Sequence, residues 1–235
     1  MICDNLRHIR DRIHKAALAA GRDPKSIRLV AVSKHIAPET ISTAMSCGQL
    51  LFGENYLQEA QKKIALLGQT ASWHFIGGLQ SNKAKLVVEL FDMVETVDRL
   101  KTARALNTHA ERINKKLDIL VQVNIGKEPQ KSGVFPENII EFIKELNTLQ
   151  SLRVQGLMAI PPYSPDPETT RSHFARLREL GTRCRKAGMF HSDERCELSM
   201  GMSGDFETAI EEGATIVRVG TAIFGPRYHT ETEHP

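Results

Sequence analysis

A closed barrel of eight parallel strands alternating with helices is the fold this sequence predicts, and three observations predict it. Eight short runs rich in β-branched and other apolar residues alternate with longer segments of helical periodicity. Several of those runs, such as Ile119-Leu120-Val121 and Ile216-Val217, are apolar on both faces, as strands are when helices cover one side and a filled interior the other. The chain of 235 residues suits such a (β/α)8 TIM barrel as one domain over residues 1–235, ending in a polar tail from about residue 227.

The elements follow in order. Leu6, Ile9, Ile13, Ala16 and Ala20 recur at three- and four-residue steps, the stripe of an amphipathic helix closed by Gly21. The strands expected after it are Leu29 to Ser33, Leu50 to Gly53, Trp73 to Ile76, Met93 to Thr96, Ile119 to Asn124, Val154 to Met158, Glu197 to Ser199 and Ile216 to Val219. No helix-length segment follows the eighth run, so the N-terminal helix is expected to cover the gap in the outer ring. After the sixth strand comes Pro161-Pro162-Tyr163-Ser164-Pro165-Asp166-Pro167, which its prolines make stiff and extended; no chemistry is assigned to it.

Composition narrows the function classes. Hydrophobic residues at 41% and charged residues at 25% are the balance of a globular protein. The formal charge of +3 comes from interspersed Lys and Arg, with no dense basic run, so nucleic acid is not an expected partner. Charges interrupt the N-terminal residues where a signal peptide would be apolar, and no apolar run approaches the roughly 20 residues that cross a bilayer. Cys3, Cys47, Cys184 and Cys196 are scattered without metal-ligand spacing, which reads as four thiols in a reducing compartment. A cytoplasmic monomer without metal is the expectation.

Barrel sites form at the C-terminal ends of the strands, so the polar residues that close each run are weighed first. Lys34 closes the first, and alternation puts it on the face of Val30 and Val32. If that face is the interior, desolvation favours the neutral amine and attack on a carbonyl; a surface lysine at a strand end is an equal alternative. Val217-Arg218-Val219-Gly220-Thr221 closes the last run. Gly220 admits close backbone approach, and the Gly220 and Thr221 amides with the Thr221 hydroxyl can grip phosphate oxygens. Ser199-Met200-Gly201-Met202-Ser203-Gly204-Asp205 supplies the second half of such a cup, with helix capping by Ser203 or Asp205 as the alternative. Arg218 should face inward, paired with a carboxylate such as Glu197 or beside a ligand's ring nitrogen. There it would disfavour ring protonation and weaken the ring as an electron sink. Asn55 is placed to reach a ligand hydroxyl. His74 reads as a hydrogen-bonded core histidine, Ser81 or Asn82 as a cap of the third helix, and Lys131 as a solvated charge.

Taken together, Ala31-Val32-Ser33-Lys34, Phe52-Gly53-Glu54-Asn55-Tyr56, His74-Phe75-Ile76-Gly77 with Leu79-Gln80 and Asn82-Lys83, Lys131-Ser132-Gly133, Gly156-Leu157-Met158-Ala159-Ile160, Ser199-Met200-Gly201-Met202-Ser203 with Asp205, and Val217-Arg218-Val219-Gly220-Thr221 span nearly the whole chain. This set resembles the pyridoxal-phosphate homeostasis proteins of the YggS or PROSC type. The resemblance implies a barrel like the N-terminal domain of alanine racemases and other fold-type III proteins. It also implies pyridoxal 5′-phosphate (PLP) bound covalently as a Schiff base on Lys34, with the phosphate held by Ser203, Gly220 and Thr221, Arg218 near the pyridine nitrogen, and Asn55 and Met202 lining the pocket. The implied role is intracellular PLP buffering and delivery, with transient contact to apo PLP-dependent enzymes and no robust catalysis. The chain departs from the family just after the lysine: His35-Ile36-Ala37 stands where many relatives begin with Thr and carry another basic residue.

Two other readings use the same residues. A PLP-dependent amino-acid racemase or decarboxylase would use the lysine, cup and arginine, but such enzymes complete their sites from an appended β-domain, and only a short polar tail follows Gly225 here. Racemisation also needs a group opposite the lysine; no motif places Tyr56, Tyr163 or Tyr228 there. A Schiff-base aldolase without cofactor would hold a sugar phosphate in the cup, but the motifs as a set match no aldolase.

Overall fold

The computed structural model describes residues 1–235 except 69, 163, 165, 193–195 and 227–235; the expected tail, Tyr228 and two positions of the proline-rich connection lie outside the described residues. Eight strands form a closed parallel barrel in sequence order: β1 Arg28–Val32, β2 Leu51–Glu54, β3 Ser72–Phe75, β4 Met93–Val97, β5 Leu117–Val123, β6 Leu152–Ala159, β7 Glu197–Ser199 and β8 Ile216–Val219. Closure is made by β1 pairing with β8 in the register Val30↔Arg218 and Ala31↔Val219. Helices α1 Ile2–Ala19, α2 Pro38–Ser46, α3 Leu57–Leu67, α4 Ala84–Leu90, α5 Leu100–Arg112, α6 Ile139–Asn147, α7 Pro167–Lys186, α8 Phe206–Glu211 and α9 Thr221–Phe224 surround it.

Among the described residues no full helix follows β8 in the outer ring, and α1 packs there against α8 and α9. Its apolar stripe Leu6, Ile9, Ile13 and Ala16 is buried, and polar contacts fix its direction. Asn5 donates to the Ile223 carbonyl at 2.8 Å, Arg22 to the Ile210 carbonyl at 2.7 Å, and Arg12 to both carboxylate oxygens of Glu207 at 2.6 and 2.8 Å. The Arg12 guanidinium also lies 4.6 Å from the centre of the Phe206 ring, a cation–π contact.

Cys3 and Cys47 join the start of α1 to the end of α2 in a disulfide, with Cα atoms 5.5 Å apart. This corrects the reading of four separate thiols. A 44-residue separation carries no local signal; only the packing of α1 beside α2 brings the sulfurs together. Cys184 and Cys196 remain thiols.

Inside the barrel, Val30, Met93, Leu120, Met158 and Ile216 form a small apolar cluster separate from the main core between sheet and helices. Val30 therefore points inward. At the N-terminal end, Asp118 accepts from Arg153 and Gln155, both at 2.7 Å, and Glu197 pairs with Arg28 at 3.3 Å. Gly156 permits close β6–β7 pairing: a Cβ there would fall 1.9 Å from the Glu197 carbonyl oxygen.

Candidate functional site

Because all eight strands run parallel, the residues after each strand share one rim. Lys34 follows β1, and the Gly220 and Thr221 residues follow β8, its hydrogen-bonded neighbour. Lys34 is half-buried and sits in a tight turn in which the Ile36 amide donates to the Ser33 carbonyl at 3.0 Å. His35, the next residue of this turn, adopts a left-handed φ of +62°, uncommon for a side chain with a Cβ.

The β7–α8 loop meets the β8–α9 corner here. The Gly220 amide donates to the Ser203 hydroxyl at 3.4 Å, and the Arg218 amide to the Gly201 carbonyl at 3.0 Å. Gly201 turns with φ +91° against Phe206 and Ala209, where a Cβ would fall 2.5 Å from that of Ala209. Neither candidate cap acts as one. Asp205 stands at the N-cap position of α8 without capping it, because its carboxylate turns back to accept the Met202 amide at 2.6 Å. Burial pushes the Asp205 carboxyl above its ordinary value, against the opposing Met202 bond and Arg218 charge. Met202 is 40% exposed at the rim. Asn55 lies just past β2, its buried Oδ1 unpartnered among the described residues.

Beneath the rim, Arg218 is buried, and its position corrects one expectation. Its carboxylate is Glu95 of β4, across the barrel at 3.8 Å, not Glu197, which is occupied by Arg28 and by the Thr215 hydroxyl at 2.5 Å. Arg218 also donates to the Ser199 hydroxyl and to the Ala159 carbonyl at 3.0 Å. Ser199 in turn donates to Glu95 Oε2 at 2.5 Å, and His74 Nδ1 lies 2.6 Å from Glu95 Oε1. A continuous chain from His74 through Glu95 and Ser199 thus ends on Arg218. Burial alone would raise the Glu95 carboxyl, but the His74 bond, the His74 and Arg218 charges and the Ser199 hydroxyl outweigh it and hold Glu95 below its ordinary value. His74 is the core histidine its strand position predicts.

Glu95 went unnoticed in the sequence, although a lone carboxylate in Met93-Val94-Glu95-Thr96-Val97 was a usable signal: an acid in an apolar strand needs a buried partner. Lys63 had no such signal. Paired with Glu59 at i, i+4, it reads as an ordinary solvated helix pair, yet it is buried against Glu54 and Glu59 at 2.8 and 2.6 Å. Ser81 and Asn82 start a 3-10 turn before α4 and supply no side-chain cap. Lys131 is paired with Glu128 at 2.5 Å in a loop held by Asn124, whose amide donates to the Glu128 and Lys131 carbonyls at 2.7 and 3.1 Å.

The barrel, with a lysine after its first strand and a loop cradle at its last two, defines the class: the family described as alanine racemase, N-terminal domain, matches residues 4–228. An alanine racemase from Corynebacterium glutamicum shares the fold, with a TM-score of 0.67 at 18% identity over 96% of this chain and 63% of that one. Within that class, a pyridoxal phosphate homeostasis protein of Aquifex aeolicus is 42% identical over 226 residues, covering 96% of this chain and 98% of the relative. The chain belongs to the pyridoxal phosphate homeostasis protein family. Among solved structures, PipY of Synechococcus elongatus PCC7942 with PLP bound matches with a TM-score of 0.83 at 34% identity, over 96% of this chain and all of that one, 100%.

Proposed function

We propose that this protein holds PLP as a Schiff base on Lys34 and serves as an intracellular reserve that buffers and delivers the cofactor, without robust turnover of its own. The observation that carries the reading is the placement of the Lys34 turn and the Ser203–Gly220 cradle on one rim, at the ends of adjacent strands. The names of the relatives and the PLP-bound PipY support the ligand.

The residues present fit a phosphate-bearing aldehyde. Lys34 would hold the aldehyde through its amine, in a condensation that releases water. Ser203, Gly220 and Thr221 offer hydroxyl and amide donors to the phosphate, and Asn55 and Met202 flank the opening. When bound, PLP supplies an electron sink whose strength depends on protonation of its ring nitrogen. Arg218, held by Ser199 and the Ala159 carbonyl, would disfavour protonation of that nitrogen if placed beside it. The site therefore retains the cofactor while leaving it a weak catalyst.

The test is borohydride reduction of protein incubated with PLP, then peptide mass spectrometry and assays of amino-acid racemisation and decarboxylation. A phosphopyridoxyl group on Lys34, lost in Lys34→Ala with the fold intact, and negligible turnover are expected. Absence of the adduct would refute PLP binding through Lys34; rapid turnover with the adduct present would make the protein a racemase or decarboxylase.

A further inference from the structure

The turn that carries Lys34 is anchored from behind, outside the proposed pocket. Lys63 of α3, only 3% exposed, donates from Nζ to the Ser33 carbonyl at 2.6 Å, to Glu54 Oε1 at 2.8 Å and to Glu59 Oε1 at 2.6 Å. Its three N–H donors thus meet three acceptors. Glu59 Oε1 also accepts the His35 amide at 2.6 Å, and Glu54 Oε1 accepts the Ser33 hydroxyl at 2.6 Å.

The Ser33 carbonyl belongs to the peptide group before Lys34, and the His35 amide to the one after it. Both peptide planes flanking the Lys34 Cα are therefore tied to a single ammonium–carboxylate cluster. Those planes set φ and ψ of Lys34, and with them the direction in which its side chain leaves the backbone. The left-handed His35, unfavourable for a residue with a Cβ, is held by the Glu59 bond and by its ring contact with Tyr56, 5.1 Å between centres. Burying an ammonium with two carboxylates is a weak route to stability, since apolar side chains in place of the whole group would avoid the desolvation. What the cluster supplies that an apolar contact could not is directional hold on these two peptide groups.

We propose that Lys63 and Glu59 are positioning residues for Lys34, aiming its amine across the rim at the cradle. This rests on the reading of Lys34 as the Schiff-base residue. Glu59→Ala removes the acceptor of the His35 amide from a partly exposed helical position, while Glu59→Gln keeps an amide oxygen there; Lys63→Met removes the ammonium at similar volume. The rate of Schiff-base formation with added PLP is followed by visible absorbance, the reduced adduct is located by mass spectrometry, and each apoprotein is melted thermally. Glu59→Ala, with Lys63 still paired to Glu54, should melt cooperatively at a somewhat lower temperature than wild type and form the Schiff base roughly tenfold more slowly, as expected when reacting groups lose their alignment. Glu59→Gln should recover most of the rate, and folded Lys63→Met should be at least as slow as Glu59→Ala. Should Lys63→Met not fold, the Glu59 pair decides. Folded Glu59→Ala reacting at the wild-type rate overturns the positioning role. Wild type without a Lys34 adduct overturns the functional reading instead, so the two failures are distinguishable.

Discussion

Removing Glu95 should destabilise the barrel strongly, because it is the buried partner of a buried arginine. Its side chain has no solvent exposure, and Arg218 opposite is 4% exposed. Glu95→Leu conserves much of the volume but strands the guanidinium and removes the acceptor for both Ser199 and His74. Breaking a buried pair in this way costs about 3–5 kcal/mol. For a chain of this length about 1 kcal/mol moves the melting temperature by roughly 2–4 °C, so the apoprotein should melt roughly 6–20 °C lower at neutral pH. The double variant Glu95→Leu/Arg218→Met replaces the pair by apolar side chains and should recover most of that loss, because the stranded charge, not the packing, carries it. Differential scanning calorimetry of wild type, single and double variants is the assay. A single variant melting within about 2 °C of wild type would sink the argument, and so would a double variant no more stable than the single one.

Two further predictions follow from groups away from the rim. Glu95 has a lowered folded-state pKa, so its contribution is fully present above the unfolded carboxylate value and disappears as pH falls through the folded one. Urea melts across the acid range should therefore show wild-type stability declining in a step that Glu95→Leu lacks; parallel curves would refute the linkage. For the Cys3–Cys47 disulfide, the 44-residue separation corresponds to about 2–4 kcal/mol of stabilisation. Reductant should lower the melting temperature of wild type and leave Cys3→Ser unaffected, and equal sensitivity of the two would show that the bond does not stabilise the fold.

The strands were legible because each is a local apolar run, and β7 and β8 match their expected bounds, Glu197–Ser199 and Ile216–Val219. Elsewhere the ends moved by a residue or two: β6 extends to Leu152–Ala159, since ladder pairing with β5, from Leu117↔Leu152 to Val123↔Ala159, continues past the apolar stretch Val154 to Met158. Lys34 and the Ser203–Gly220 cradle could be placed at the rim from sequence because strand direction and period determine which residues close each run. The partners of the buried charges could not. Arg218 had several carboxylates within plausible reach along the chain, and the choice of Glu95 over Glu197 depends on which strands face each other across the interior.

Alternation of apolar and helical periods, together with glycine and hydroxyl residues at strand ends, was enough to determine a (β/α) barrel with an amine and glycine- and hydroxyl-bearing loops at one end, since both are written in near-neighbour order. Closure of β1 onto β8, the Cys3–Cys47 link, the Glu95–Arg218 pairing and the Lys63 cluster behind Lys34 were decided only in three dimensions. Each joins groups on separate elements, and burial makes the energy of such charged contacts depend on distance and desolvation, which linear spacing does not encode.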